Sequence, residues 1–151
     1  MSVLAWTDPV PPQNAEEQLL LAPLVQFLKQ RRWINERSLL RTEFSWNGRR
    51  ADLVTMTQTA RLSAFELKIG SFHRVLEQAM YNRLAFDRSW AVVSSRPLER
   101  NLEQAAENGI GVLLLLSGHM QVLLQATVQP VNRIARSRLL VDLKKGITAD
   151  V

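Results

Sequence analysis

The chain has no cysteine and only two histidines among its 151 residues. The first absence excludes disulfides and thiolate metal sites, and the two together leave no ligand set for a structural zinc ion. A chain without cysteine suits a reducing compartment, so a cytoplasmic location is the expectation. No apolar run reaches the roughly 18 residues that a membrane span needs, and no partner membrane is expected. The N-terminus lacks a basic region followed by an apolar stretch, so no signal peptide is expected. Internal repeats and low-complexity segments are also missing. What is present is 46% hydrophobic and 22% charged residues, the balance of an ordinary globular domain with enough chain for a real core.

Acids are scarce relative to cations, 14 against 19, for a net charge of +5 and a pI of about 10.4. Seven cations fall between Lys29 and Arg50 (Arg31, Arg32, Arg37, Arg41 and Arg49 are the others), against two acids, Glu36 and Glu43. A second cluster, Arg133, Arg136, Arg138, Lys144 and Lys145, faces only Asp142. The planar fork of arginine donors matches a phosphate backbone, and a solvated basic face explains the same charge. Charge alone leaves both open.

Residues 1–13 carry Pro9, Pro11 and Pro12 and read as an extended arm. Asn14 is placed to cap a helix running to about Arg32, with Glu16 and Glu17 in its first turn. Leu20, Leu21, Leu24, Phe27 and Leu28 recur at helical spacing, and Pro23 either kinks that helix or marks its start. Glu17 stands beside the buried stripe, an odd place for a purely solvating acid. Leu39 to Trp46 alternates weakly and predicts a first strand. Asn47-Gly48 is a strong hairpin signal before a second strand from Arg49 to Thr57. A polar turn around Gln58-Thr59-Ala60 leads to a third, Leu62 to Ile69, completing an antiparallel meander.

Ser71 is placed to cap a helix to about Arg88, with Val75, Leu76, Ala79, Met80, Leu84 and Ala85 inward. A short strand over Trp90 to Val93 precedes a helix from Pro97 to about Asn108, which Gly109 ends. Val112 to Leu116 is a continuous apolar run, as expected of a central strand covered on both faces. Ser117-Gly118 turns it into Met120 to Thr127, and Asn132 is placed to cap a last helix to about Lys144. The order α-β-β-β-α-β-α-β-β-α predicts an α/β fold, a mixed sheet with helices against it. The chain divides into the 1–13 arm, a domain over 14–128, and a basic C-terminal helix and tail over 129–151.

Two of these strands carry acids among apolar residues: Asp52 in the second, and Glu66 followed by Lys68 in the third. A strand repeats its facing every two residues, so Glu66 and Lys68 share one face while Phe65, Leu67 and Ile69 share the other. If Asp52 points the same way, two hard oxygen ligands converge, enough for Mg²⁺, which takes its remaining shell from water and phosphate. Lys68 would then hold the water or neutralise charge building on the phosphate. A surface ion pair explains an acid-x-lysine on a strand more cheaply. Gln78, in a helix near the apolar stripe, and His73, at that helix's start, each have a simple structural explanation as well.

Asp52, then Glu66-Leu67-Lys68, preceded by Glu17 in a helix and followed by Gln78 and Tyr81 in the next, resembles the PD-(D/E)xK nuclease superfamily, which includes restriction endonucleases and Holliday-junction resolvases. The resemblance covers roughly the first two-thirds of the chain, whose α-β-β-β-α-β order matches that superfamily's core. It implies a restriction-endonuclease-like fold with C-terminal strands and a helix added. Asp52 and Glu66 would hold Mg²⁺ (or Mn²⁺), with the Leu67 carbonyl and Glu17 as further ligands and Lys68 as the catalytic lysine. Gln78 and Tyr81 would support the lysine or contact DNA, with Arg41, Arg49, Arg50 and His73 as further nucleic-acid contacts. Ala51 stands where the motif has proline, a position that supplies no ligand. The expectation is a Mg²⁺-dependent nuclease acting on nucleic acid, DNA in the first instance, with a homodimer as an arrangement common in the family. The alternative is a non-catalytic nucleic-acid-binding or protein-interaction module on the same fold, within a DNA-processing or defence complex.

Overall fold

The computed structural model describes residues 5–6 and 15–149. Asn14, expected as a helix cap, and most of the 1–13 arm lie outside those residues. Within them the chain forms a mixed sheet whose strands lie side by side in sequence order. A two-residue edge strand, β1 (Ala5–Trp6), runs parallel to β2 (Leu39–Trp46). Antiparallel β3 (Arg49–Met56) and β4 (Leu62–Lys68) complete the expected meander. β5 (Arg88–Val93) and β6 (Gly111–Leu116) continue parallel to β4, and β7 (His119–Leu124) closes the sheet antiparallel.

The change from antiparallel to parallel follows from the connections. Asn47-Gly48 and Ser117-Gly118 reverse the chain in two residues, and all four adopt positive φ (49°, 77°, 52° and 78°). That geometry matches the twist of the flanking strands. By contrast, α2 (Phe72–Asn82) and α3 (Glu99–Glu107) return the chain over one face, which makes β4, β5 and β6 parallel.

Both faces are buried, one in a single apolar cluster and the other in two. On one, α1 (Ala15–Gln30) sets Leu20, Leu24, Phe27 and Leu28 against Leu40, Leu53, Phe65, Leu67 and Trp90. On the other, α2 and α3 lie over β5 and β6, and α4 (Arg133–Ala149) covers β2 to β4 through Leu139 and Leu143. Arg136 ties α4 down: its guanidinium donates to both carboxylate oxygens of Asp87 and to the Ala60 carbonyl. Asp87 also accepts the Leu62 N–H at 2.7 Å, so one carboxylate links the start of β4 to the last helix. Asn132 caps α4 as expected, its Oδ1 accepting the Ala135 N–H. No helix among the described residues is long and apolar enough to cross a membrane.

Several boundaries differ from expectation. α1 passes through Pro23 as one helix. α2 stops at Asn82 rather than near Arg88, because β5 begins at Arg88, paired with Ser63, and leaves no room for further helix. The Asn82 carbonyl accepts the N–H groups of Ala85 and Phe86, a turn that buries both side chains. Leu84, expected inward, lies in that turn and is 48% exposed, and Met80, within α2 but off its buried face, is 37% exposed. β6 emerges at its end, where Leu116 is exposed, so the double covering holds only for its first part.

Gly111 sits opposite Trp90 in the β5–β6 ladder. A Cβ there would overlap the indole of Trp90 and lie 2.7 Å from the Ala126 backbone nitrogen. Gly111→Ala should therefore cost about 1–3 kcal/mol, read as a lower denaturation midpoint. A variant as stable as the parent would mean the strand can retreat from the indole.

Candidate functional site

The β3–β4 ladder ends at Leu53 and Phe65. Beyond it the two strands part, β3 staying with β2 as far as Arg49 and β4 staying with β5 as far as Lys68. The wedge between them opens beside Asp52 and Glu66. Asp52 fills part of it by accepting the Leu67 N–H at 2.7 Å, so a carboxylate takes the place of the missing strand partner.

The parting coincides with a slip in side-chain alternation on β2 and β3. Leu40 belongs to the α1-side cluster, yet Phe44, four residues on, belongs to the opposite one. Ala51 and Leu53 likewise face opposite ways although two residues apart. Glu43 supplies the slip by adopting φ 50°, a left-handed conformation unusual for this residue type. It stands opposite Asp52, between the paired rows Thr42–Leu53 and Phe44–Ala51. Its side chain is nearly buried, 3.8 Å from Arg50.

Glu66 is buried, 1% exposed, beneath α2. The amide of Asn82 donates to its Oε2 at 2.7 Å, and the Asn82 carbonyl oxygen accepts the indole N–H of Trp46 at 3.2 Å. Because an indole can only donate, this pairing sets the amide's orientation and leaves its NH₂ for the carboxylate. Among the described residues, no N–H donor reaches Glu66 Oε1. The Asp52 and Glu66 carboxyls lie within hydrogen-bonding reach of each other. Burial pushes Asp52 up to about 7, helped by the charges of Glu17 and Glu43. Burial, and then the charge of Asp52, holds Glu66 well above the usual carboxylate range. Such a pair shares a proton or takes a cation.

Glu17 reaches the same place from α1, nearly buried, with its Oε1 3.3 Å from Lys68 Nζ. Glu17, Glu43, Asp52, Leu67, Lys68 and Gln78 border a cleft of about 280 Å³. Arg49 and Arg50 stand at its side, where Glu66 and Asn82 form an adjoining recess with Gln78. The Arg49 guanidinium lies 3.9 Å above the Tyr81 ring, whose hydroxyl accepts from the Asn47 amide. The structure thus gathers Glu17, Asp52, Glu66, Leu67, Lys68, Gln78, Arg49, Arg50 and Tyr81 around one opening. Arg41 is turned elsewhere, donating to the Leu143 carbonyl of α4, and His73 is exposed near the start of α2.

Glu43 and Asn82 are the residues that sequence reasoning missed. The weak alternation of Leu39–Trp46 was the signal for Glu43, since a left-handed residue breaks a period of two. Asn82 had none beyond lying one helical turn after Gln78. Among the described residues, no three His, Asp or Glu side chains converge closely enough to hold an ion by themselves. A cation here would complete its shell with backbone, water or ligand oxygen, as Mg²⁺ commonly does. The Glu66 Oε1 that no N–H donor reaches among the described residues, and the raised carboxyl pair, fit such an ion.

A carboxyl whose pKa is raised by folding keeps its proton in the folded protein after the unfolded chain has lost it. In metal-free buffer, stability should fall as pH rises from about 4 through about 7, and Glu66, raised as well, adds to the loss. Asp52→Asn keeps an acceptor for the Leu67 N–H without the charge, and should raise stability above pH about 8 by on the order of 2 kcal/mol. Chemical denaturation across pH checks this, and a wild-type profile that stays flat would contradict it.

No family model and no curated protein matches the chain. Among solved structures, the SPO1766 protein of unknown function from Silicibacter pomeroyi is similar with a TM-score of 0.66 at 16% identity, over 92% of this chain and 90% of that one. The likeness spans nearly the whole of both chains and shows a shared fold. SfsA of Pyrococcus furiosus, solved in complex with Ca²⁺, is similar with a TM-score of 0.40 at 17% identity, over 77% of this chain and 63% of its own. Neither likeness bears on chemistry.

Proposed function

We propose that this protein is a divalent-metal-dependent nuclease of the PD-(D/E)xK type, hydrolysing phosphodiester bonds in nucleic acid, with DNA the first candidate. One observation carries the reading: two carboxyls face each other where β3 and β4 part, and among the described residues no N–H donor reaches one oxygen of the more deeply buried acid, Glu66. Burying acids in this way costs stability unless something positive completes the site.

In this reading Asp52 and Glu66 would hold Mg²⁺ or Mn²⁺, with the Leu67 carbonyl as a further ligand. When bound, the ion supplies charge for a phosphoryl oxygen and lowers the pKa of a water. Asn82 keeps the Glu66 carboxylate turned toward the ion, its own amide fixed by Trp46. Lys68, held by Glu17, stands where it can orient the attacking water or neutralise charge on the phosphate. Arg49 and Arg50, which border the opening, would offer donors to a nucleic-acid backbone, and Tyr81 positions Arg49.

A second reading, a nucleic-acid-binding or protein-interaction module without turnover, draws support from the lack of a three-acid metal cluster among the described residues. The two readings separate in one assay. With Mg²⁺ or Mn²⁺ and a panel of duplex, branched and single-stranded substrates, the nuclease reading expects cleavage that EDTA stops. It also expects Asp52→Asn to lower cleavage by about a hundred-fold or more while leaving nucleic-acid binding largely intact. Equal cleavage by wild type and Asp52→Asn would overturn the assignment. Binding without cleavage of any substrate would favour the module.

A further inference from the structure

A second constellation lies on the α1 side of the sheet, away from the acids. The registers Thr55–Ser63 and Ser63–Arg88 align three polar residues in one row across β3, β4 and β5. The next row on the same face is apolar, with Phe65 paired to Trp90. Strand periodicity puts both rows on one surface. Trp33, which follows α1, lies 5.0 Å from Trp90, and Phe65 stacks on Trp90 at 6.2 Å, so three aromatic rings stand together beside the polar row. A cavity of about 240 Å³ opens over these two rows, and Arg61 adds a second guanidinium to its lining.

The charges here have no internal use. Neither the Arg61 nor the Arg88 guanidinium has a hydrogen-bond or carboxylate partner among the described residues. Asp87, next to Arg88 in sequence, is engaged by Arg136 and the Leu62 N–H. Two cations lining a cavity that three aromatic rings also line call for an anion with a flat body: the guanidiniums would take the charged group and Trp33 would stack on the ring. The volume is below the range usual for drug-sized ligands, which limits the occupant to one ring system with its anionic group.

We infer that this cavity is a binding site for a small planar anion, an aromatic ring bearing a phosphate or a carboxylate, of mononucleotide size or less. It is separate from the acid cleft. Ser63 precedes Glu66 by three residues, roughly 10 Å along β4, and faces the opposite side of the sheet. The inference does not depend on the nuclease reading.

Calorimetric titration of the full chain tests it, with uridine monophosphate and indole-3-acetate as the two probes and uridine and inorganic phosphate as controls. Binding of either probe supports the site, and whichever binds more tightly identifies the anion. The controls should bind at least about ten-fold more weakly, because each supplies only half of the recognition. Arg61→Gln, at an exposed position, and Arg88→Gln should each weaken the probe about ten-fold or more, with folding checked by circular dichroism. Should Arg88→Gln fail to fold, Arg61→Gln and quenching of Trp33 emission, lost in Trp33→Phe, still decide the matter. Asp52→Asn should leave affinity unchanged. No saturable binding of either probe at millimolar concentration, equal binding of inorganic phosphate, or affinity insensitive to the arginine variants would overturn the inference.

Discussion

The parting of β3 from β4 is the constraint on which the rest of the molecule depends. Two adjacent strands that stop pairing leave backbone donors and acceptors bare, and a buried interior does not tolerate them. Asp52 meets that demand by accepting the Leu67 N–H, so the gap in the ladder is closed by a carboxylate. The same choice brings Asp52 against Glu66, and both acids then resist ionisation. One irregularity of the backbone thus produces both the opening and its unusual electrostatics.

The surrounding elements hold this arrangement in place. Glu43 adopts a left-handed conformation that re-phases β2 and β3, and strain of this kind persists only where neighbours over-determine it. Here the neighbours are Phe44 and Ala51 on one side and Leu40 and Leu53 on the other, all buried. Trp46 packs edge-on against Phe86 while its N–H orients Asn82, so one side chain serves the core and the acid pair together. Glu17 arrives on α1, whose packing against the opposite face sets how far it reaches. The site is therefore packed on all sides but its rim, where Gln78, Arg49 and Arg50 meet solvent.

Much of the fold was legible in the chain because its signals are local. Asn47-Gly48 and Ser117-Gly118 specify tight reversals through φ alone, and Gly109 does the same for the end of α3. The leucine stripe of α1 named its buried face correctly, since helical periodicity needs no knowledge of what lies opposite. The end of α2 was not legible: nothing in residues 83–88 forbids helix, and it is the pairing of Arg88 with Ser63 that stops it. The exposure of Leu84 follows from the same early end, whereas Met80 lies within α2 beside its buried face. Arg41 looked like part of a basic patch until α4, distant in sequence, offered the Leu143 carbonyl.

The sequence by itself determined the element order from α1 onward, the two tight hairpins, and the presence of two acids and a lysine on neighbouring strands, but not the edge strand β1 inside the expected extended arm. Those follow from side-chain type and spacing, which act over a few residues. Tertiary structure alone decided that Asp52 and Glu66 meet, that among the described residues no N–H donor reaches one Glu66 oxygen, and that Glu43 and Asn82 join them. Those features depend on where a ladder ends and which helix crosses above it, and such long-range packing leaves no mark in local periodicity.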